Sequence, residues 1–204
     1  MSNRSRVLGL LATGASVGLL ATSAEAATKN VEATEAKTFS PKAITSTVAG
    51  SVHWFGTSGG VEEHSVRQDA GLFDSGNPKT GLDFTRKFSA GTFPYHCEKH
   101  GVNGGTMKGT VTVPPQVVSA PAGLAFTVKW AAAGTNTGNS FDVKYRVGSG
   151  AWKTWKNNTS AKSLVFGKGG PVAVARGKTY SFQVRSGTGA NESLFSPIKS
   201  FRAS

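Results

Sequence analysis

Apolar and polar side chains alternate with period two in short runs through residues 27–204, and no stretch sustains a helical period. In the first half the runs cover residues 51–55, 82–88, 92–95 and 108–113; a further strand starts at Phe39 with Pro41 at an edge or bulge. In the second half they cover 117–120, 124–130, 141–147, 162–166, 179–185 and the segment from Phe195 onward. Glycine-bearing turns such as Ala49-Gly50, Asp69-Ala-Gly71, Asp74-Ser-Gly76 and Gly187-Thr-Gly189 separate them. Short half-buried strands punctuated in this way predict an all-β chain of two small sandwiches. Pro114-Pro115 makes a stiff extended joint, so the expected units are residues 27–114 and 115–204.

Residues 1–26 are expected to leave the chain before it folds. Arg4 and Arg6 form a basic start, residues 7–20 a leucine- and small-residue-rich run, and Ala24-Glu25-Ala26 an A-x-A cleavage site. The pattern implies export, to an extracellular, periplasmic or envelope location, without a stable membrane span. Export in turn makes Cys97 informative, because the only cysteine of the chain has no intramolecular disulfide partner. Such a thiol is a buried inert group, an intermolecular partner or a metal ligand.

Charge separates the two halves. Residues 27–114 hold 9 Lys/Arg and 8 Asp/Glu, whereas residues 115–204 hold 12 against 2. An asymmetry of that kind speaks to partners rather than to fold.

Candidate chemistry gathers in residues 91–113, where Cys97, His96, His100 and Met107 lie between two strand-like runs. Cys97 and His100 sit three apart across a turn and can face one ion. Extended backbone sends His96 to the opposite side from Cys97, which makes it a poor ligand. His53 lies inside a strand beside Trp54 and reads as a packed or surface residue. His64 opens an extended piece after a Gly-rich loop, where a sandwich can deliver a side chain to its rim. Met107 is either a gap-filling core residue or a weak thioether donor. Thiolate, imidazoles and thioether together favour copper; zinc would normally take an oxygen, nitrogen or thiolate in place of the thioether.

These motifs carry a resemblance. Phe39-x-Pro41, Gly50-Ser-Val-His-Trp54, Glu63-His64-Ser-Val66, Gly91-Thr-Phe-Pro-Tyr95-x-Cys97-x-x-His100 and Met107-Lys-Gly-Thr-Val111 resemble a cupredoxin of the plastocyanin and amicyanin type. The resemblance implies a Greek-key β-sandwich with one type 1 copper ion. His64, Cys97 and His100 would form its trigonal plane, Met107 its axial ligand, and the His100 ring edge an electron port ringed by apolar residues, with Val102 in the neighbouring loop. It also implies one-electron transfer rather than catalysis, with an unidentified redox donor and acceptor. A hydrogen bond to the thiolate is expected from the backbone near residue 65. The six residues 101–106 between His100 and Met107 make a longer loop than the family usually has, which predicts a looser axial contact. The tri-copper histidines of a multicopper oxidase are absent from the sequence.

Residues 115–204 resemble a fibronectin type III domain, an immunoglobulin-like sandwich. Trp130 matches its second-strand tryptophan, Tyr145 its third-strand tyrosine, and Tyr180-x-Phe182-x-Val184-Arg185 its penultimate strand with Tyr180 as the tyrosine corner. The half holds no histidine or cysteine, and only Asp142 and Glu192 as carboxylates. Trp152 and Trp155, next to Lys153 and Lys156, read as edge-strand packing or as an aromatic, basic surface for an anionic envelope polymer or glycan. No nucleic-acid reader motif accompanies the charge. The expectation is a secreted copper electron carrier with a basic accessory sandwich. The alternative is a copper-binding, copper-buffering or cell-surface interaction protein without a redox partner.

Overall fold

The computed structural model describes residues 27–119, 124–167 and 172–204. Residues 1–26, the segment expected to direct export, lie outside them, as do Ala120 and residues 168–171 of the expected turn before Val172. Every regular element among the described residues is a strand, and no helix there is long and apolar enough to cross a membrane.

Eight strands build the N-terminal half: β1 (Lys29–Ala33), β2 (Phe39–Ser40), β3 (Ala43–Thr45), β4 (Ser51–Gly56), β5 (Arg67–Gln68), β6 (Asp83–Lys87), β7 (Gly91–His96) and β8 (Lys108–Val113). They form two sheets, ordered β2-β1-β4-β6 and β3-β8-β7-β5. Alternation decides which face is buried: Val52 and Trp54 of β4, and Gly91, Phe93 and Tyr95 of β7, point inward. Trp54 anchors the interior, with the rings of Tyr95, Phe84, Phe73 and Phe88 at 5.3–6.1 Å. Of the edge or bulge expected at Pro41 the edge is what forms, since β2 and β3 are the outer strands of the two sheets and the chain changes sheet between them. β1 was hidden in what reads as a polar lead. Lys29, Asn30 and Glu32 mask its two inward residues, Val31 and Ala33, which a parallel pairing with β4 buries completely.

The C-terminal half has β9 (Gln116–Ser119), β10 (Phe126–Lys129), β11 (Ser140–Val147), β12 (Lys153–Thr159), β13 (Ser163–Phe166), β14 (Thr179–Thr188), β15 (Asn191–Glu192) and β16 (Lys199–Arg202). Its sheets run β13-β10-β9 and β12-β11-β14-β15, with β16 also on β14. Phe166 lies 5.0 Å from the rings of Tyr145, Trp155 and Phe182. The Tyr180 hydroxyl accepts the Ala175 N–H at 2.9 Å, five residues upstream, the contact expected of a tyrosine corner. β12 escapes an alternation search because Trp155 is the only apolar residue in its sequence. Its register against β11 slips between Lys144↔Thr154 and Val143↔Lys156, and the extra residue, Trp155, packs on the core.

The halves meet through buried hydrogen bonds. Thr92 of β7 and Leu194 exchange two backbone bonds of 3.0 Å, and Ala90 N–H donates to Trp130 O at 2.7 Å. Ser89, Thr137 and Ser186 are fully buried there. Ser186 Oγ donates to Ala90 O (2.7 Å), so Ser89 Oγ donates to Ser186 (2.8 Å) and Thr137 Oγ1 to Ser89 (2.8 Å). Every hydroxyl in this chain is satisfied, with its proton order fixed by the terminal carbonyl. β7 thus starts at the junction and ends beside Cys97, which at ~3.3 Å per residue separates the two ends by about 17 Å.

Candidate metal centre

Three segments deliver the cluster. His64 is held by a two-bond bridge to Lys79, with N–H to O distances of 3.0 and 3.1 Å. Cys97 follows the last residue of β7, and His100 stands on the turn that Gly101 N–H closes onto Cys97 O at 2.7 Å. A Cβ at Gly101 would lie 2.5 Å from Met107 O, so the turn needs a residue without one. The ligand atoms of His64, Cys97 and His100 all lie within 4.8 Å of one another.

Burial shapes the chemistry of this group. Neither buried His64 nitrogen has a hydrogen bond of ordinary geometry, and only a marginal contact with the Thr34 backbone reaches the ring, an arrangement that costs free energy unless something else occupies its lone pair. Desolvation, and secondarily the neighbouring His100 charge, push the His64 pKa below its ordinary value. Burial also lowers that of His100, while the Glu62 carboxylate opposes the shift. Neutral imidazoles are the form that binds metal. The buried Cys97 Sγ lies 3.7 Å from His100 Nδ1 and accepts the Ser65 N–H at 3.5 Å. The residue-65 backbone bond anticipated from the sequence is therefore present. Ser65 Oγ accepts the Glu98 N–H at 3.0 Å and so braces the same corner.

The remaining sulfur and imidazoles divide between the neighbouring core and the surface. Met107 is fully buried, its O accepts Cys97 N–H at 3.1 Å, and its N–H donates to His100 O at 3.2 Å. The long loop is absorbed by Asn103 and Gly104, consecutive residues with φ of 50° and 86° that fold the chain back. His96 points away and meets Asp69 at 2.7 Å, and His53 meets Asp83 at 2.8 Å. Neither joins the cluster.

The rim departs from the expected apolar collar. Glu62 Oε2 lies 3.4 Å from His100 Nε2 and Glu62 Oε1 lies 3.3 Å from Lys37 Nζ, while Glu63 pairs with Lys99 at 3.0 Å. Glu35 sets that loop by accepting the Val61 and Glu62 N–H groups at 3.3 Å each. Alternation in strands does not reveal such a carboxylate, because it sits on a loop and acts through an anchor about 27 residues upstream. The signal available was the Glu62-Glu63-His64 sequence itself, with two acids abutting a candidate ligand.

A soft ion fits these donors. One thiolate and two imidazoles, with a thioether on a neighbouring strand start, are a donor set of the kind that a soft ion such as copper takes, and one of the two His64 nitrogens is what such an ion would satisfy.

No protein-family model matches the chain. No curated protein matches it either. Among solved structures, it is similar to a mutant plastocyanin of fern, at 24% identity over 41% of this chain and 98% of that one, with a TM-score of 0.35. It is similar to a pseudoazurin from Sinorhizobium at 20% identity, over 48% of this chain and 78% of that one, with a TM-score of 0.32. It is also similar to the FN1–FN3 domains of chicken CNTN1 at 11% identity, over 70% of this chain and 53% of that one, with a TM-score of 0.31.

Proposed function

We propose that the protein is an exported type 1 copper protein that carries single electrons. In this reading residues 27–114 form a cupredoxin-type Greek-key sandwich and residues 115–204 a fibronectin type III-like accessory sandwich. His64, Cys97 and His100 would hold the copper, with Met107 as a weak thioether donor. The observation that carries the reading is the buried His64 imidazole, one nitrogen of which lies with Cys97 Sγ and a His100 nitrogen in a set all within 4.8 Å of one another.

Bound there, copper would supply a one-electron couple between Cu(I) and Cu(II), served by soft sulfur in one state and imidazole in both. The chain's own residues do the rest. Ser65 N–H draws electron density from the thiolate and tunes the potential. The Cys97–Met107 and Met107–His100 backbone bonds hold the ligand loop in one geometry, which keeps reorganisation small. His100 keeps a 10% exposed side chain and is the route by which an electron reaches the site. Its charged rim favours a partner with complementary charges around a small contact. The junction with the second half lies at the far end of β7, so a redox partner and the accessory half do not compete.

Copper titration followed by voltammetry tests this. The expected result is one copper per chain and a reversible one-electron wave. Tight binding without any reversible wave would favour copper buffering, and no binding would remove the reading altogether.

A further inference from the structure

The outward face of β12-β11-β14 carries a ladder in which cations and aromatic rings alternate. On β11, Phe141, Val143 and Tyr145 go inward, so Asp142, Lys144 and Arg146 go outward. Arg146 lies 4.9 Å from the Trp152 ring centroid, and Lys144 Nζ lies 5.3 Å from the same ring. Lys144 Nζ also stands 3.7 Å from the Phe195 ring, whose other cation is Arg185 at 5.3 Å. The order across the sheet is Arg146, Trp152, Lys144, Phe195, Arg185. The two tryptophans that the sequence sets side by side therefore have different roles. Trp155 belongs to the core, while Trp152 separates two cations on the surface.

The anions of this half are already used. Asp142 and Glu192, its only carboxylates, both pair with Arg185 at 2.6 Å. Among the described residues, no other Lys or Arg of 115–204 lies in an ion pair. Lys144 and Arg146 are thus held close together with no counter-charge, and burial beside Arg185 lowers the Lys144 pKa. Cation–π contacts of this type offset part of that repulsion and restrict long side chains before any ligand arrives. The outcome is a pre-ordered positive strip.

We infer that this strip is a docking site for an anionic polysaccharide, with Lys144 and Arg146 meeting its carboxylate, sulfate or phosphate groups and Trp152 and Phe195 holding those cations in position. Charge complementarity supports the occupant: 12 basic against 2 acidic residues in this half, with both acids withdrawn. The rings carry cations on them, which leaves them unsuited to stacking the bases of a single-stranded nucleic acid. The inference stands independently of the copper reading. It accounts for a half that has no ligand chemistry of its own.

Binding of the full chain to polygalacturonate and to heparin, as a function of salt, is the test, with neutral dextran as control and single-stranded DNA as competitor. Lys144→Gln with Arg146→Gln should lower affinity about tenfold or more. It should also reduce the slope of log affinity against log salt by about 1 to 2, as expected for two lost counterion-releasing contacts. Trp152→Leu keeps both charges, so affinity should fall severalfold with the slope unchanged. Lys129→Gln with Lys162→Gln removes equal charge from the opposite sheet and should change affinity less than twofold. Equal losses from the two double variants would overturn the inference, since net charge alone would then drive binding. So would failure of both polysaccharides to bind at low salt, or a preference for the DNA. Thermal unfolding of each variant identifies any loss that comes from misfolding.

Discussion

The two ends of β7 treat their buried polar atoms in opposite ways. At the junction the Thr137–Ser89–Ser186–Ala90 chain satisfies every hydroxyl, whereas at the other end of β7 His64 has two buried nitrogens with no well-formed hydrogen bond. Both halves supply the polar groups that lock the junction. At that other end the buried imidazole stands beside Cys97 and His100, a donor set that a metal ion could complete.

The difference can be broken first at the junction. Ser186→Ala leaves Ser89 Oγ and Ala90 O short of a partner, and urea unfolding should show a loss of about 2–3 kcal/mol. A loss near zero would mean that the hydroxyl chain does not hold the halves together. His64→Leu should act with the opposite sign on metal-free protein. Removing the two nitrogens that lack a well-formed hydrogen bond should stabilise it by about 1–2 kcal/mol while abolishing copper binding. A destabilised variant would show that His64 is an ordinary packed residue.

Much of this contrast was legible in the sequence, for reasons that differ by residue. Alternation exposed β4, β7, β11 and β14 because each buries every second side chain. The spacing of Cys97 and His100 and the position of His64 after a Gly-rich loop located the cluster that the fold assembles. β1 was invisible, since it hides two small inward residues among polar ones, and alternation missed β12, whose edge position only Trp152 and Trp155 suggested and which needs a register slip to turn Trp155 inward. The junction and the Glu62 contact were also illegible. Serines at 89 and 186, or an acid held by Glu35, acquire meaning only when distant segments are brought together.

Acid should separate the halves further. Burial lowers the His64 pKa in the folded chain, so the unfolded chain binds the extra proton as pH falls below its ordinary value near 6.5. Metal-free stability is therefore retained above about pH 6.5 and lost below it, down to the depressed folded value. Backbone amide exchange should reveal the loss first in residues 27–113, since the C-terminal half has no histidine. Uniform loss across both halves would show that another group dominates. The smallest expected effect belongs to the rim. Glu62→Gln should leave stability unchanged and alter copper affinity by at most about tenfold, measured by chelator competition, and Glu63→Gln should alter it less.

The central claim is that Cys97 places its thiolate on copper between His64 and His100. An absorption spectrum of the purified protein with one equivalent of Cu(II) tests it most directly. An intense thiolate-to-copper band in the visible, lost in Cys97→Ser, is the predicted result; a one-to-one complex with only weak absorption would contradict it.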